Sequence, residues 1–143
     1  MNNDIIFFKE VVFLDLNKKV AFVTGSSIGL GKGLIEELSK NGCNVVIGYN
    51  NSKEKAEWLK KNIEEKYNVK ALCVKCDVTD ENSIKNTITY IVDNFGKIDI
   101  VINNAAYAQD NYIYDKTKEE FKINLNSVNI NFCILHIYLY CQS

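Results

Sequence analysis

The chain has 143 residues, 47% hydrophobic and 24% charged, with a formal net charge of −1. That length allows one domain or part of one, and that balance excludes a disordered chain. A near-neutral charge supplies no basic field for nucleic acid or an anionic membrane surface, so neither is an expected partner.

Taken in chain order, the first 18 residues form an extension. Its apolar stretch Ile5 to Leu14 is broken by Lys9 and Glu10 and leads to no small-residue cleavage site, which sets it apart from a secretory leader. Val20 to Thr24 is an unbroken apolar run, as in a strand buried on both faces. Leu30 to Lys40 follows with helical spacing, placing Leu30, Leu34 and Leu38 on one predicted inward face. Asn41-Gly42 closes that helix with a residue that tolerates positive φ. Asn44 to Ile47 is the second predicted strand. Ser52 is a candidate cap for a helix reaching Tyr67, with Ala56, Leu59, Ile63 and Tyr67 as its apolar stripe. Ala71 to Cys76 is the third strand. Thr79 or Asp80 caps a third helix with Ile84, Ile88, Ile91 and Phe95 inward, and Gly96 ends it. Ile98 to Ile102 is the fourth strand. Apolar strands, each followed by an amphipathic helix, predict an α/β fold: a doubly wound parallel sheet of the dinucleotide-binding kind, carried here through about four strands.

The glycines fall where the first strand passes into the first helix, in V-A-F-V-T-G-S-S-I-G-L-G from Val20 to Gly31. Gly25 permits the tight turn, Gly29 lets backbone approach a pyrophosphate, and Gly31 lets the helix pack closely. The helix N-terminus adds free N–H groups and the positive end of its dipole. The spacing is G-x-x-x-G-x-G, and its setting between strand and helix favours a nucleotide loop over a bare turn.

The five cysteines are odd in number and have no secretory leader ahead of them, which argues against a disulfide framework and for a reducing, cytoplasmic setting. Cys73 and Cys76 form C-V-K-C, but residues three apart in a strand point to opposite faces, and no second pair follows at zinc spacing. They are expected in the core, and no metal site is expected. The single His136 is read as packing within the tail rather than as a base.

Four motifs together resemble the short-chain dehydrogenase/reductase family. T-G-S-S-I-G-L-G is similar to its T-G-x-x-x-G-x-G. C-D-V at Cys76 to Val78, N-N-A-A at Asn103 to Ala106 and N-L-N-S-V at Asn124 to Val128 are similar to its D-V, N-N-A-G and N-L-x-S-V. F-G-K-I-D-I-V-I-N-N-A, from Phe95 to Ala105, most resembles the 3-oxoacyl-acyl-carrier-protein reductase group. The resemblance runs over residues 19–128 and implies a partial NAD(P)-binding domain there. Residues 129–143 are then an atypical apolar tail, in which Ile130 to Cys141 is too short to span a bilayer of roughly 20 residues.

The resemblance also implies site residues. Thr24, Gly25, Ser26, Ser27, Ile28, Gly29 and Gly31 would form the phosphate loop. Asp77 and Val78 would hold adenine, while Asn104, Ala105 and Ala106 would lie along the ribose next to the nicotinamide. Ala106 stands where the family prefers glycine, and Ile28 stands where many NADP-preferring members carry arginine. The second strand ends in G-Y-N-N-S-K, with no carboxylate to bond the ribose of NAD or repel a 2′-phosphate. With Asn50 able to bond either form and Lys53 close by, NADP is the expected cofactor and NAD the alternative.

The family's catalytic serine and Tyr-x-x-x-Lys lie on elements beyond the fourth strand. The matches to Y-x-x-x-K here are Tyr49/Lys53, Tyr112/Lys116 and Tyr114/Lys118. The first sits at the adenine end, and no serine occurs between Ser83 and Ser127 to accompany the others, so all three are read as chance. Asn124 is the remaining catalytic candidate, because the family's asparagine on that helix supports a proton-relay water. It lies about four residues nearer to Phe121 than in the family, close to one helical turn. Two function classes follow: the cofactor half of an oxidoreductase acting on carbonyl/hydroxyl pairs, or a non-catalytic nucleotide-binding fragment or truncated gene product. Family members are usually homo-oligomers. An uncovered apolar fourth strand would predict association or aggregation, with weak cofactor affinity.

Overall fold

The computed structural model describes residues 15–105. Within them the elements are β1 (Val20–Val23), α1 (Gly29–Lys40), β2 (Asn44–Tyr49), α2 (Lys53–Lys66), β3 (Ala71–Lys75), α3 (Glu81–Phe95) and β4 (Ile100–Ile102). The four strands form one parallel sheet in the order β3-β2-β1-β4. The chain therefore winds outward from β1 to β3, then crosses back over β1 to place β4. That reversal opens a crevice beyond the strands' carboxyl ends, where α/β sheets of this type bind ligands.

Each sheet face has its own core, which is why the strands read as continuous apolar runs. On one face Val20, Phe22, Val46 and Val74 pack with Ile84, Ile88 and Ile91 of α3. On the other, Val23, Val45 and Ile47 pack with Ile35 of α1 and Ala56, Leu59 and Ile63 of α2. Cys76 belongs to the first core and Cys73 packs against the second, so the two thiols lie on opposite faces as the strand period requires. Burial pushes Cys43 up to about 11 and Cys73 up to about 12, and it raises Cys76 as well, so these thiols stay protonated.

Two sequence expectations need correction. The face of α1 that meets the sheet is Gly31, Ile35 and Ser39. Leu30 is 76% exposed, and Leu34 and Leu38 only flank the contact. Helical side chains lean toward the N-terminus, so Leu30 in the first turn projects past the end of the sheet. The second correction concerns caps. Ser52 occupies the N-cap of α2 but makes no side-chain cap hydrogen bond. Asp80 does cap α3, its carboxylate accepting the Asn82 N–H at 2.9 Å. Thr79, the other candidate, is engaged with Asp77. Gly42 and Gly96 close α1 and α3 at φ 83° and 76°, conformations that favour glycine.

At the opposite end of the sheet, Asp99 leads into β4. Its carboxylate accepts the Val20 N–H at 2.7 Å and pairs with Lys97 at 2.8 Å. Burial acts to raise its pKa, yet these two donors hold the carboxyl below its ordinary range. Among the described residues, no helix is long and apolar enough to cross a membrane.

Candidate functional site

A cleft of about 630 Å³ opens at the carboxyl ends of all four strands. Gly25, Ser27 and Ile28 line it from the β1–α1 turn, and Tyr49, Asn50, Asn51 and Ser52 from the end of β2. Cys76, Asp77, Val78 and Thr79 contribute from β3, and Asn104 and Ala105 from β4.

The turn is shaped by close approach. Gly25 has φ +61°, and a Cβ there would sit 2.9 Å from Ala105 Cα. Gly29 also has a positive φ, +59°, with open space where a side chain would begin. At Gly31 a Cβ would lie 2.5 Å from Asn104 Nδ2, 2.7 Å from Ser26 Cα and 2.8 Å from the Gly25 carbonyl. On this face the helix thus approaches its own entry loop and the end of β4 as well as the sheet.

Side chains then tie the turn to its neighbours. Thr24 is buried, and its Oγ1 accepts the backbone N–H groups of Asn104 at 3.1 Å and Ala105 at 3.0 Å. The Asn104 amide in return donates to the carbonyls of Thr24 at 3.1 Å and Gly25 at 3.0 Å. Ser26 is 0% exposed and does not line the cleft. Its hydroxyl donates to the Val23 carbonyl at 2.7 Å and accepts the Gly48 N–H at 3.1 Å. Thr24, Ser26 and Gly31 therefore lie behind the wall that Gly25, Ser27 and Ile28 present.

The entry to α1 lacks the side-chain cap that a helix start ordinarily has. Its N-cap, Ile28, offers no side-chain acceptor, and the first turn carries no acidic residue. The N–H groups of that turn keep their donor capacity beside the cleft, with the positive end of the helix dipole behind them.

At the far wall, Asp77 Oδ1 accepts both the N–H of Thr79 at 2.9 Å and its hydroxyl at 2.7 Å. These bonds hold the carboxyl below its ordinary 3.8. Oδ2 has no partner among the described residues, so an ionised acceptor remains available at neutral pH. Because the folded pKa is lowered, this group contributes stability above its unfolded pKa and loses it as pH falls through the folded value. Thr79→Val deletes the hydroxyl and keeps the backbone donor. It is expected to raise the Asp77 midpoint toward 3.8 and to shrink the stability lost on acidification. Carboxyl chemical shifts followed through an acid titration compare this variant with the wild type, and an unmoved midpoint rejects the hydroxyl as cause.

Of the residues expected from sequence, Gly25, Ser27, Ile28, Asn50, Asp77, Val78, Asn104 and Ala105 meet at this cleft. Gly29 lines an adjoining hollow with Lys32 and Trp58. Ala106 and Asn124, like Tyr112/Lys116 and Tyr114/Lys118, lie outside the described residues. Tyr49 is packed in the sheet core and Lys53 is exposed at the start of α2. Sequence reasoning missed Tyr49, Asn51, Ser52, Cys76 and Thr79 as lining residues. Ser52 and Thr79 were hidden by their suitability as caps. Tyr49 was missed because the predicted second strand stops at Ile47, whereas β2 runs on to Tyr49.

A crevice at the switch point of a parallel sheet, floored by a glycine turn and an uncapped helix start, defines a nucleotide-binding α/β domain. A family profile described as short chain dehydrogenase matches residues 19–137, and the chain belongs to that family of oxidoreductases. It is 35% identical over 114 residues to a 3-oxoacyl-[acyl-carrier-protein] reductase of Buchnera aphidicola, covering 80% of this chain and 44% of the relative. To a sorbose reductase of Candida albicans it is 41% identical over 121 residues, covering 79% and 42%. Among solved structures, a short chain dehydrogenase from Burkholderia cenocepacia in complex with NADP superposes with a TM-score of 0.73 at 29% identity, covering 82% of this chain and 49% of that one. A blue fluorescent protein from a metagenomic library, in complex with NADPH, superposes with a TM-score of 0.74 at 26% identity, covering 83% and 49%. The chain thus spans about half the length of the relatives it matches.

Proposed function

We propose that this chain is the nucleotide-holding half of an NADP(H)-dependent oxidoreductase that interconverts carbonyl and hydroxyl groups, with a 3-oxoacyl-acyl-carrier-protein as the substrate class. The observation that carries the reading is the uncapped start of α1, whose free N–H groups meet the cleft between Gly25 and Ile28. A pyrophosphate would complete those donors. The neighbouring residues fit the rest of a dinucleotide. Asp77 Oδ2 is an acceptor suited to the adenine amino group, with Val78 beside it. The end of β2 offers Asn50, Asn51 and Ser52 and no carboxylate, which leaves room for a 2′-phosphate without charge repulsion. Two solved relatives are complexes with NADP or NADPH, in agreement with that preference. The nicotinamide, when bound, carries the hydride. This chain's residues bind and orient it, with Asn104 and Ala105 on that side of the cleft.

The sequence has one tryptophan, Trp58, beside the hollow that adjoins the phosphate loop, so its fluorescence reports binding. Titrating monomer taken directly from gel filtration is expected to give saturable quenching by NADPH, tighter than by NADH. No saturable binding rejects the cofactor reading, and a preference for NADH rejects the NADP assignment. We further expect the 143-residue polypeptide by itself to show no ketone-dependent oxidation of NADPH. The family's serine, tyrosine and lysine proton machinery, worth roughly 10²- to 10⁴-fold in rate, has no counterpart in the local Tyr/Lys pairs. Turnover abolished by Tyr112→Phe or Tyr114→Phe would overturn this. Binding without turnover would be the behaviour of a non-catalytic nucleotide module.

A further inference from the structure

We propose that Ser26 is a positioning residue that fixes the spacing between the two walls of the cleft, so that it matters for a ligand bridging them and not for one held by a single wall. The inference rests on the dinucleotide reading of the cleft. One wall is the glycine turn, with Gly25, Ser27 and Ile28. The other is built from the ends of β2 and β3, which are joined by the Cys76 N–H donating to the Tyr49 carbonyl at 2.7 Å. The β1–β2 ladder ends with Val23 opposite Ile47. Past that point, among the described residues, the hydrogen bonds from the turn to β2 are those between Ser26 and Gly48. The Ser26 N–H donates to the Gly48 carbonyl at 2.8 Å, and the Gly48 N–H donates to Ser26 Oγ at 3.1 Å. Oγ also donates to the Val23 carbonyl at 2.7 Å, so a wholly buried hydroxyl joins both strands.

Gly48 makes this seam possible. A Cβ on it would lie 2.9 Å from both Phe22 Cε2 and the Val23 carbonyl, where the turn leaves β1. Without the Ser26 hydroxyl, the Gly48 N–H either stays buried and unpaired or finds a partner by moving β2 relative to the turn. The first outcome removes the side-chain bond that holds the two walls in alignment, and the second shifts one wall against the other. A dinucleotide phosphate held by both the turn and Asn50, Asn51 and Asp77 would register that misalignment. Adenosine 2′-phosphate lacks the pyrophosphate and nicotinamide half, would rest mainly on the β2–β3 wall, and would register it less.

The test compares NADPH and adenosine 2′-phosphate on the full chain, by calorimetric titration of the monomer, with thermal melts alongside. Ser26→Ala is expected to weaken NADPH about tenfold while adenosine 2′-phosphate changes by less than about twofold, as for one lost buried hydrogen bond expressed only in the bridging ligand. Ser26→Cys keeps a similar size and a weaker donor and acceptor, and it should fall between wild type and alanine. It carries the comparison if the alanine variant does not fold. Equal weakening of both ligands, or none, overturns the positioning role and leaves the cofactor reading intact. A wild-type chain that binds neither ligand overturns the cofactor reading itself, and with it the role given to Ser26.

Discussion

Gly31→Ala is expected to destabilise the domain by about 1–3 kcal/mol and to weaken dinucleotide binding by at least about tenfold. Alanine in a helix interior ordinarily gains roughly 1 kcal/mol over glycine, so the predicted sign is the reverse of the local propensity. The added Cβ would lie 2.5 Å from Asn104 Nδ2, 2.7 Å from Ser26 Cα and 2.8 Å from the Gly25 carbonyl. Two of those three are backbone atoms of the β1–α1 turn and cannot rotate away. The third is the amide that holds the carbonyls of Thr24 and Gly25, so moving it releases the turn. Gly33, two residues on in the same helix, is the internal control, because a Cβ there meets nothing within 4 Å. Gly33→Ala should follow propensity and stabilise by roughly 0.5–1 kcal/mol. Urea melts of both variants, with NADPH titrations, read the difference. If both are stabilised and both bind as wild type does, the close approach at Gly31 has no energetic weight.

That contrast between two glycines of one helix shows what a sequence can and cannot carry. The glycine turn was legible because its residues are spaced by the demands of a strand-to-helix junction, a local requirement. Asp77, Asn104 and Ala105 were legible through the family resemblance of C-D-V and N-N-A-A, and the structure gives the physical reason: each follows an apolar strand whose end opens on the crevice. Gly48 was not legible. Its reason is Phe22 on the adjacent strand, and nothing in G-Y-N-N-S-K shows that ring. The caps were ambiguous for a chemical reason: Ser52, Thr79 and Asp80 all carry an oxygen able to accept a first-turn N–H. Tertiary placement then gave Asp80 that task, bound Thr79 to Asp77, and left Ser52 facing the cleft. Ser26 resembles a loop-lining residue in T-G-S-S-I-G-L-G. Only the three-dimensional structure shows that its hydroxyl is consumed between β1 and β2.

The inward face of α1 gives the sharpest energetic test, since the leucine stripe and the observed packing make opposite forecasts. Ile35→Ala is expected to destabilise by about 2–5 kcal/mol, the range for truncating a buried aliphatic side chain. Ile35 is 0% exposed and packs with Val23, Val45 and Ile47 of the sheet. Its neighbours on that face, Gly31 and Ser39, are small, which brings the helix axis close to the strands and leaves Ile35 as the main apolar anchor. The Ser39 hydroxyl is satisfied within the helix by the Ile35 carbonyl at 2.7 Å, so its burial requires no outside partner. A stripe built from one large residue between two small ones escapes a search for repeating leucines. Leu30, Leu34 and Leu38 match that search but sit on the shoulders of the contact. Leu30→Ala should therefore change stability by no more than about 0.5 kcal/mol, the scale of an ordinary surface substitution. Equilibrium denaturation of the two variants under one set of conditions decides between the faces. Comparable losses, or a larger loss at Leu30, would return the leucine stripe to the core and rotate α1 away from the orientation described here.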